Sequence, residues 1–375
     1  MSTLPLASRL RGVERTVIRQ IFDAAPAGAI NFGLGQPDLP TPDVVKKAGI
    51  EAILRDRTRY TVTAGDADLR EAIAARYPGF AEGPDSVVVT IGTGEAVFLA
   101  CSALLEPGDD VLVPDPGFPT YATTARILGA RPIGYPLRPE NGFGLDPEDV
   151  ARCLTPATRL VVLNSPGNPT GGVDTGEALD RVAALAEQRG FVWMSDEIYS
   201  SFLYEGTFES LSTRSRRGVV VSGLSKEASM AGWRAGWLAA EPAFAHACTA
   251  MHQYVATCAP SISQRAALAA LSPEGREAAA TIVQRFRRRR DRALEILAGA
   301  RRARVPRPAG AFYLFADVSA VGDSMTVCQE LMHRGVITIP GSAFGSRGEG
   351  WLRISYAAPE DDLERGMAIV RDVLS

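Results

Sequence analysis

Between residues 86 and 240 short apolar runs alternate with helix-patterned stretches, and few folds can accommodate that rhythm. The runs are SVVVTI, DVLVP, RPIGYP, RLVVLN, FVWMSD, GVVVSG and WRAGWLAA, while EAVFLACSALL, PTYATTARILG and GEALDRVAALAEQRG between them carry helix periodicity. Strands this continuously apolar bury both faces, and the intervening helices supply the cover. The pattern predicts an α/β fold with a mainly parallel central sheet flanked by helices.

Sheets of this kind bind ligands beyond the carboxyl ends of their strands. Gly92, Thr93 and Gly94 follow the first run, Phe118 follows DVLVP, and Asn164 to Gly171 follow RLVVL. Asp196 ends FVWMSD, and Ser222 and Lys226 close or follow GVVV. Chance would scatter chemically capable residues over both edges of the sheet. Here they share one, which points to a single site.

Past residue 272 the pattern changes. SPEG introduces a long Arg-rich helix, followed by AFYLFADV, the helical MTVCQELMHRG and WLRISYA. This predicts a smaller α/β C-terminal domain over 272–375, a large domain over 36–271, and an N-terminal arm over 1–35 packed on the small domain.

Several function classes are set aside. Net charge is −3, so no overall basic field attracts nucleic acid. RFRRRRDR, residues 285–292, lies inside a helical pattern and reads as a solvated helix face. The five cysteines are scattered and never in CxxC spacing, which favours neither disulfides nor zinc. His246, His252 and His333 read as surface or packing residues, so no metal site is expected. No apolar stretch nears the roughly 20 residues a membrane span needs, and the N-terminus lacks signal-peptide features. A cytoplasmic enzyme without nucleic-acid or membrane partners is the expectation.

The cations are unevenly divided. Of 40 Lys plus Arg only Lys46, Lys47 and Lys226 are lysine. Lys46 and Lys47 lie on the polar side of a predicted helix, whereas Lys226 sits in SGLSKEAS among small residues. A position that keeps lysine in so arginine-rich a chain is either a chance survivor or a place that needs a primary amine. Arginine stays protonated and cannot serve as an amine nucleophile.

FGLGQPDLPTPD (32–43), YTVTAGDADLREAI (60–73), DPGFPTY (115–121), NSPGNPTGG (164–172), SDEIYSSFLY (195–204), SGLSKEASMAGWRAGW (222–237), PAGAFYLF (308–315) and GEGWLRISYA (348–357) occur in this order and spacing. Together they resemble the class I/II aminotransferases of the fold-type I pyridoxal-phosphate family, aspartate aminotransferase-like, over nearly the whole chain. The resemblance implies pyridoxal 5′-phosphate bound through Lys226, which also moves the proton at the substrate's α-carbon. It implies Asp196 opposite the pyridine nitrogen, Asn168 and Tyr199 on the phenolic oxygen, and Phe118 stacked on the ring. Gly92, Thr93, Gly94 and Arg234 would hold the phosphate, with Ser222 or Ser225 standing in for a serine that many relatives carry where this chain has Gly223. Arg353, helped by Gly35 and Asn168, would grip the substrate α-carboxylate. Tyr60 would reach the neighbouring subunit's phosphate, implying a homodimer with shared active sites.

The implied activity is ping-pong transfer of an amino group between an L-amino acid and a 2-oxo acid. A β-lyase or decarboxylase on the same fold shares every one of these motifs. Without the resemblance, Phe118 reads equally as a core residue, Tyr199 as a packing residue and Arg353 as a strand-edge arginine.

Overall fold

The computed structural model describes residue 4 and residues 7–375. Residues 1–3, 5 and 6 of the expected arm lie outside the described residues. In chain order the strands are β1 (Ile30–Asn31), β2 (Val87–Ile91), β3 (Asp110–Asp115), β4 (Arg131–Pro136), β5 (Thr158–Asn164), β6 (Val192–Asp196), β7 (Gly218–Gly223), β8 (Ala235–Ala239), β9 (Tyr313–Asp317), β10 (Val336–Ile337), β11 (Ile339–Pro340) and β12 (Trp351–Ser355). The seven apolar runs become β2 to β8, one seven-stranded sheet in the order β2-β8-β7-β6-β5-β3-β4.

The pairings β3–β4, β3–β5, β5–β6 and β6–β7 are parallel. Only β8 runs against its neighbours β2 and β7. The segment between β7 and β8 holds no crossover helix, and a parallel return would need one. The reversal matters for the site. It brings the start of β8 to the edge where β7 and β2 end, with Gly223 opposite Gly236 and Ile91 opposite Ala235.

Alternate residues of each strand pack into separate cores on the two faces of the sheet. Val87, Val89, Val161, Leu163, Trp193 and Val220 enter one core, and Val88, Leu160, Val162, Met194, Val219 and Leu238 the other. Helices such as Thr93–Leu104 and Gly176–Arg189 cover these faces. Gly176–Arg189 begins on the Thr175 side chain, which accepts from the Ala178 N–H, and ends on left-handed Gly190.

A third core gathers Phe286, Phe312, Leu314, Leu352, Ile354 and Met367 around the antiparallel sheet β11-β12-β9, with Ile21 and Phe32 from the N-terminal segment. β1 pairs in parallel with β10, Ile30 opposite Val336, so the N-terminal segment joins the C-terminal layers. The two bodies of the fold are tied near the sheet edge. Asp115 accepts from Ser346 Oγ at 2.8 Å and from the Arg347 N–H at 3.1 Å, and the Gly117 N–H donates to the Phe344 carbonyl at 2.7 Å.

The Arg-rich run differs from its expected solvated face. It lies in the helix Pro273–Leu297, whose buried stripe of Ile282, Phe286, Arg289, Arg290, Ala293 and Leu297 follows the helical period. Two arginines therefore face inward. Arg289 donates to both carboxylate oxygens of Asp38 at 2.5 and 2.9 Å, and Arg290 lies over the Tyr204 ring at 4.5 Å and donates to the Pro308 carbonyl. Arg285 and Arg292 stay exposed and pair with Glu360 and Glu364. Among the described residues no helix is long and apolar enough to cross a membrane.

Candidate active site

A cavity of about 340 Å³ opens at the carboxyl edge of the large sheet. It lies where the chain leaves β3 outward to β4 and then returns to β5 on the other side, the switch point at which such sheets hold ligands. Gly35, Thr93, Gly94, Phe118, Asn168, Asp196, Tyr199, Ser225, Lys226, Arg234 and Arg353 all line it. Three expected residues do not. Gly92 lies just behind the lining, Tyr60 is 85% exposed on the outer surface, and Ser222 is buried with its hydroxyl donating to the Glu197 carbonyl at 3.2 Å. Of the two serines left open, Ser225 is the one on the cavity wall.

Lys226 sits in the loop between β7 and β8. The Leu224 N–H donates to the Ala235 carbonyl at 3.1 Å, and the Ser229 N–H to the Lys226 carbonyl at 3.2 Å, which fixes the loop across the strand ends. The Lys226 amine donates to the Gly35 carbonyl at 2.6 Å. Desolvation pulls its pKa down to about 8; Asp196 opposes the shift, and Arg353 and Arg234 add to it. An amine so placed is available as a nucleophile and as a base near neutral pH.

Asp196 closes β6 and is buried. Its Oδ2 accepts from Tyr121 Oη at 2.7 Å and its Oδ1 from the Ile198 N–H at 3.1 Å. The Ile198 contact is that of a turn aspartate, so Asp196 also shapes the turn that follows β6. Desolvation lifts its pKa to about 6 against these hydrogen bonds and the Lys226 charge. A cation brought opposite it would restore the ionised form.

The junction of β2 with the helix Thr93–Leu104 forms a cradle. Gly92 has φ +73, and a Cβ there would come within 2.4 Å of Arg234 Nη2, so glycine alone lets the guanidinium approach. Arg234 itself holds φ +58, an unusual backbone for a side chain of this size. Its guanidinium donates to the Ala231 and Ile91 carbonyls, each at 3.1 Å. Thr93 Oγ1 is buried without a hydrogen-bond partner among the described residues. Backbone N–H groups at a helix start, an orphaned hydroxyl and a guanidinium suit a phosphate dianion. Gly223 is explained by the same crowding: a Cβ there would meet the Ala235 carbonyl at 2.8 Å and Thr93 Oγ1 at 3.0 Å.

Arg353, at the centre of β12, is 2% exposed and has no carboxylate within ion-pair distance among the described residues. Its Nη1 donates to Asn168 Oδ1 at 2.9 Å and its Nη2 to the Gly33 carbonyl, while Nε is buried and unpartnered. The Tyr313 and Phe344 rings flank the guanidinium at 4.6 and 4.8 Å. Burial draws its proton affinity below the ordinary arginine value, with Tyr313 and Tyr199 opposing. A buried guanidinium with a free donor and no acid partner is a receptor for an anion.

Other contributors escaped the motif reading. Tyr313 Oη meets Tyr199 Oη at 2.7 Å and would lie 2.2 Å from a Cβ at Gly35, which explains that glycine. Asn164 joins two strand ends, its Nδ2 donating to the Asp196 carbonyl at 3.1 Å and its Oδ1 accepting from the Asn168 N–H at 3.0 Å. Tyr121 and Tyr313 stood inside quoted motifs, yet only the fold shows which way they face. His252 is fully buried, with Nδ1 3.0 Å from Glu95 Oε1, and Glu95 Oε2 accepts the Ile91 N–H at 2.6 Å behind the cradle. Among the described residues no group of His, Cys, Asp and Glu is arranged to hold a metal ion.

Comparison with known proteins agrees with this geometry. The family model for aminotransferase class I and II matches residues 27–370. The aspartate aminotransferase of Pyrococcus horikoshii is 35% identical over 380 residues, covering 98% of this chain and 97% of its own. Aromatic-amino-acid aminotransferase 2 of Thermococcus litoralis is 34% identical over 384 residues, with 99% and 98% covered. The solved aspartate aminotransferase from Thermus thermophilus with maleate superposes with a TM-score of 0.93 at 32% identity, covering 99% of this chain and 100% of that one.

The lowered Lys226 pKa carries a stability consequence with a definite sign. Below about pH 8 the folded protein holds a charged amine in a site that penalises it. We predict that Lys226→Met stabilises the cofactor-free protein at pH 7 by about 2 kcal/mol, the scale of a shift of this size after screening. The advantage should shrink as pH rises from about 8 toward the ordinary lysine value of 10.5. Urea titrations at pH 7 and 10 measure it, and equal stability of the two proteins at pH 7 would contradict it.

Proposed function

The chain belongs to the aminotransferase class I and II family and is a pyridoxal-phosphate-dependent aminotransferase, and from that premise we propose that Lys226 holds the cofactor and moves the proton of the transfer. One observation carries the assignment. A desolvated lysine amine, a buried carboxylate with a raised pKa and a buried arginine without an acid partner line the same cavity.

The residues present fit the cofactor. Asp196, held by Tyr121 and by the turn N–H, keeps a proton at the ring nitrogen. Gly92, Thr93 and Gly94 with Ser225 and Arg234 hold the phosphate, Thr93 supplying the orphaned hydroxyl. We assign Ser225 to the phosphate in preference to Ser222, whose hydroxyl is engaged elsewhere. Phe118 would cover one side of the ring, and Asn168 and Tyr199 would address its phenolic oxygen. The bound cofactor supplies the electron sink for the broken Cα–H bond.

The other steps belong to protein groups. Arg353 takes the α-carboxylate of the L-amino acid or 2-oxo acid, using its free Nε–H, with Asn168 fixing the guanidinium plane. A carboxylate fixed there would turn one α-carbon bond toward Lys226, whose amine would take and return the proton at the substrate's Cα. The arginine and the lysine thus divide the labour between orientation and proton transfer.

We also infer a homodimer with shared active sites. Leu54, Tyr60, Val62, Tyr254 and Val255 are 60–90% exposed, large apolar side chains that a partner subunit would cover. Tyr60 then reaches the phosphate of the partner subunit. We divide the chain into the arm 1–35, the large domain 36–271 and the small domain 272–375, the arm sharing the small domain's core through Ile21 and Phe32. Five free thiols suit a reducing cytoplasm, and cell fractionation tests that placement.

Three measurements follow. Lys226→Ala should abolish transamination and the absorption band of the lysine-bound cofactor; retention of both would overturn the assignment, and steady release of ammonia by the wild type would indicate a lyase instead. Arg353→Ala should mainly raise KM, by the equivalent of about 2–5 kcal/mol, the cost of truncating a buried charge pair. Unchanged kinetics would place the carboxylate contact elsewhere. Sedimentation should find a dimer, and Tyr60→Ala should weaken cofactor retention during dialysis while leaving the dimer intact; a monomeric active enzyme would refute the shared site.

A further inference from the structure

A second cavity, of about 490 Å³ against about 340 Å³ for the catalytic one, is lined by the two residues that follow Lys226. Glu227 and Ala228 form part of its wall, together with Ser201 and Arg76. Arg76 Nη1 donates to Glu227 Oε1 at 2.6 Å and Ser201 Oγ donates to Glu227 Oε2, so this carboxylate is fully engaged. The Lys226 loop therefore separates two cavities, with the amine in one and the next side chain in the other.

The facing wall is the helix Pro273–Leu297, which presents Arg276, Ala280, Val283, Gln284 and Arg287. Steps of four, seven, eight and eleven residues lie on one helix face. The helix carries seven arginines. Arg285, Arg289, Arg290 and Arg292 each have an acid within ion-pair distance. Arg276, Arg287 and Arg288 have none among the described residues, and two of these three line the cavity. Arg276 donates to the Leu271 carbonyl at 2.5 Å, while the Arg287 side chain makes no hydrogen bond to the described residues. With Arg76 and Glu227 neutralising each other, the lining keeps two uncompensated positive charges. Leu203, Ala228, Leu271 and Val283 supply an apolar surface beside them.

We infer that this cavity is a second ligand site, for a small amphipathic organic anion whose acidic head pairs with Arg287 and whose apolar body lies against Leu203, Ala228, Leu271 and Val283. The volume lies within the range of small-molecule sites. The charge is the complement of a carboxylate or sulfonate, and four of the helix's other six arginines are already satisfied by protein acids. Occupancy packs the ligand on Ala228 and removes water from the Arg76–Glu227 pair, one peptide away from Lys226. The ligand is therefore an effector of the catalytic loop, a role that rests on Lys226 holding the cofactor, whereas the site itself does not.

The test uses 8-anilinonaphthalene-1-sulfonate, an aromatic body with one sulfonate, titrated into the holoenzyme and followed by fluorescence. Saturable binding of one probe per chain is expected. Arg287→Glu should weaken it about tenfold or more, and Ala280→Trp, which projects an indole into the cavity from an exposed helix position, should remove it. Lys226→Ala should bind the probe as the wild type does, separating this site from the catalytic cavity and from the cofactor assignment. Absence of saturable binding, indifference to both helix substitutions, or loss of binding in Lys226→Ala would overturn the site. Saturating probe should also shift the absorption band of the lysine-bound cofactor, and an unmoved band would overturn the effector role.

Discussion

Arg353 is a cation taken out of water without an anion to meet it, and much of the surrounding structure exists to make that tolerable. An isolated buried guanidinium costs several kcal/mol. Here the cost is offset by Asn168 Oδ1, the Gly33 carbonyl and the faces of Tyr313 and Phe344. The Nε–H is left over. Three of those four partners are themselves held in place: Asn168 by Asn164, Tyr313 by Tyr199, and the loop containing Gly33 by the pairing of β1 with β10. The receptor proposed for the substrate carboxylate is therefore a junction of distant chain segments, which only the finished fold can assemble.

Lys226 and Asp196 show the same economy in opposite charges. Desolvation lowers the proton affinity of the amine and raises that of the carboxyl, and each charge partly relieves the other. A lysine near pKa 8 and an aspartate near 6 are both close to changing state at neutral pH, the condition in which groups exchange protons with a ligand readily. Tyr121 and the Ile198 N–H hold the carboxylate in position, so its readiness to ionise does not cost it orientation.

The single reversed strand has consequences beyond topology. Because β8 runs against β7, its first residues return to the edge where Lys226 and Gly92 sit, and Arg234 arrives beside the cradle within eight residues of the lysine. The glycines at 92, 223 and 236 keep this corner thin enough for peptide, guanidinium and hydroxyl to meet. The helix Pro273–Leu297 then braces the far side through Arg289 on Asp38 and Arg290 on Tyr204.

Much of this was legible in one dimension. Seven apolar runs became seven strands of one sheet because a strand buried on both faces must be written almost wholly in apolar residues. Lys226 stood out because a primary amine cannot be replaced by a guanidinium, and Asp196 by its place at a strand end, whereas the roles of Asn168 and Arg353 were legible only through the resemblance of their motifs to the family's. Other features were not legible. Ser222 and Ser225 are equivalent on paper, and strand alternation plus the loop decided that one hydroxyl bonds a backbone carbonyl while the other faces the cavity. Tyr121, Tyr313 and His252 carry no local sign of their partners, which lie 75, 114 and 157 residues away. Arg289 and Arg290 look like their exposed neighbours until the helix is docked. The sequence by itself determined the layers of the fold and the chemistry available at one sheet edge, since both depend on residue type and local period. The tertiary structure alone decided which side chains meet, because contact across the sheet and between the two bodies is set by packing and by the direction each strand runs.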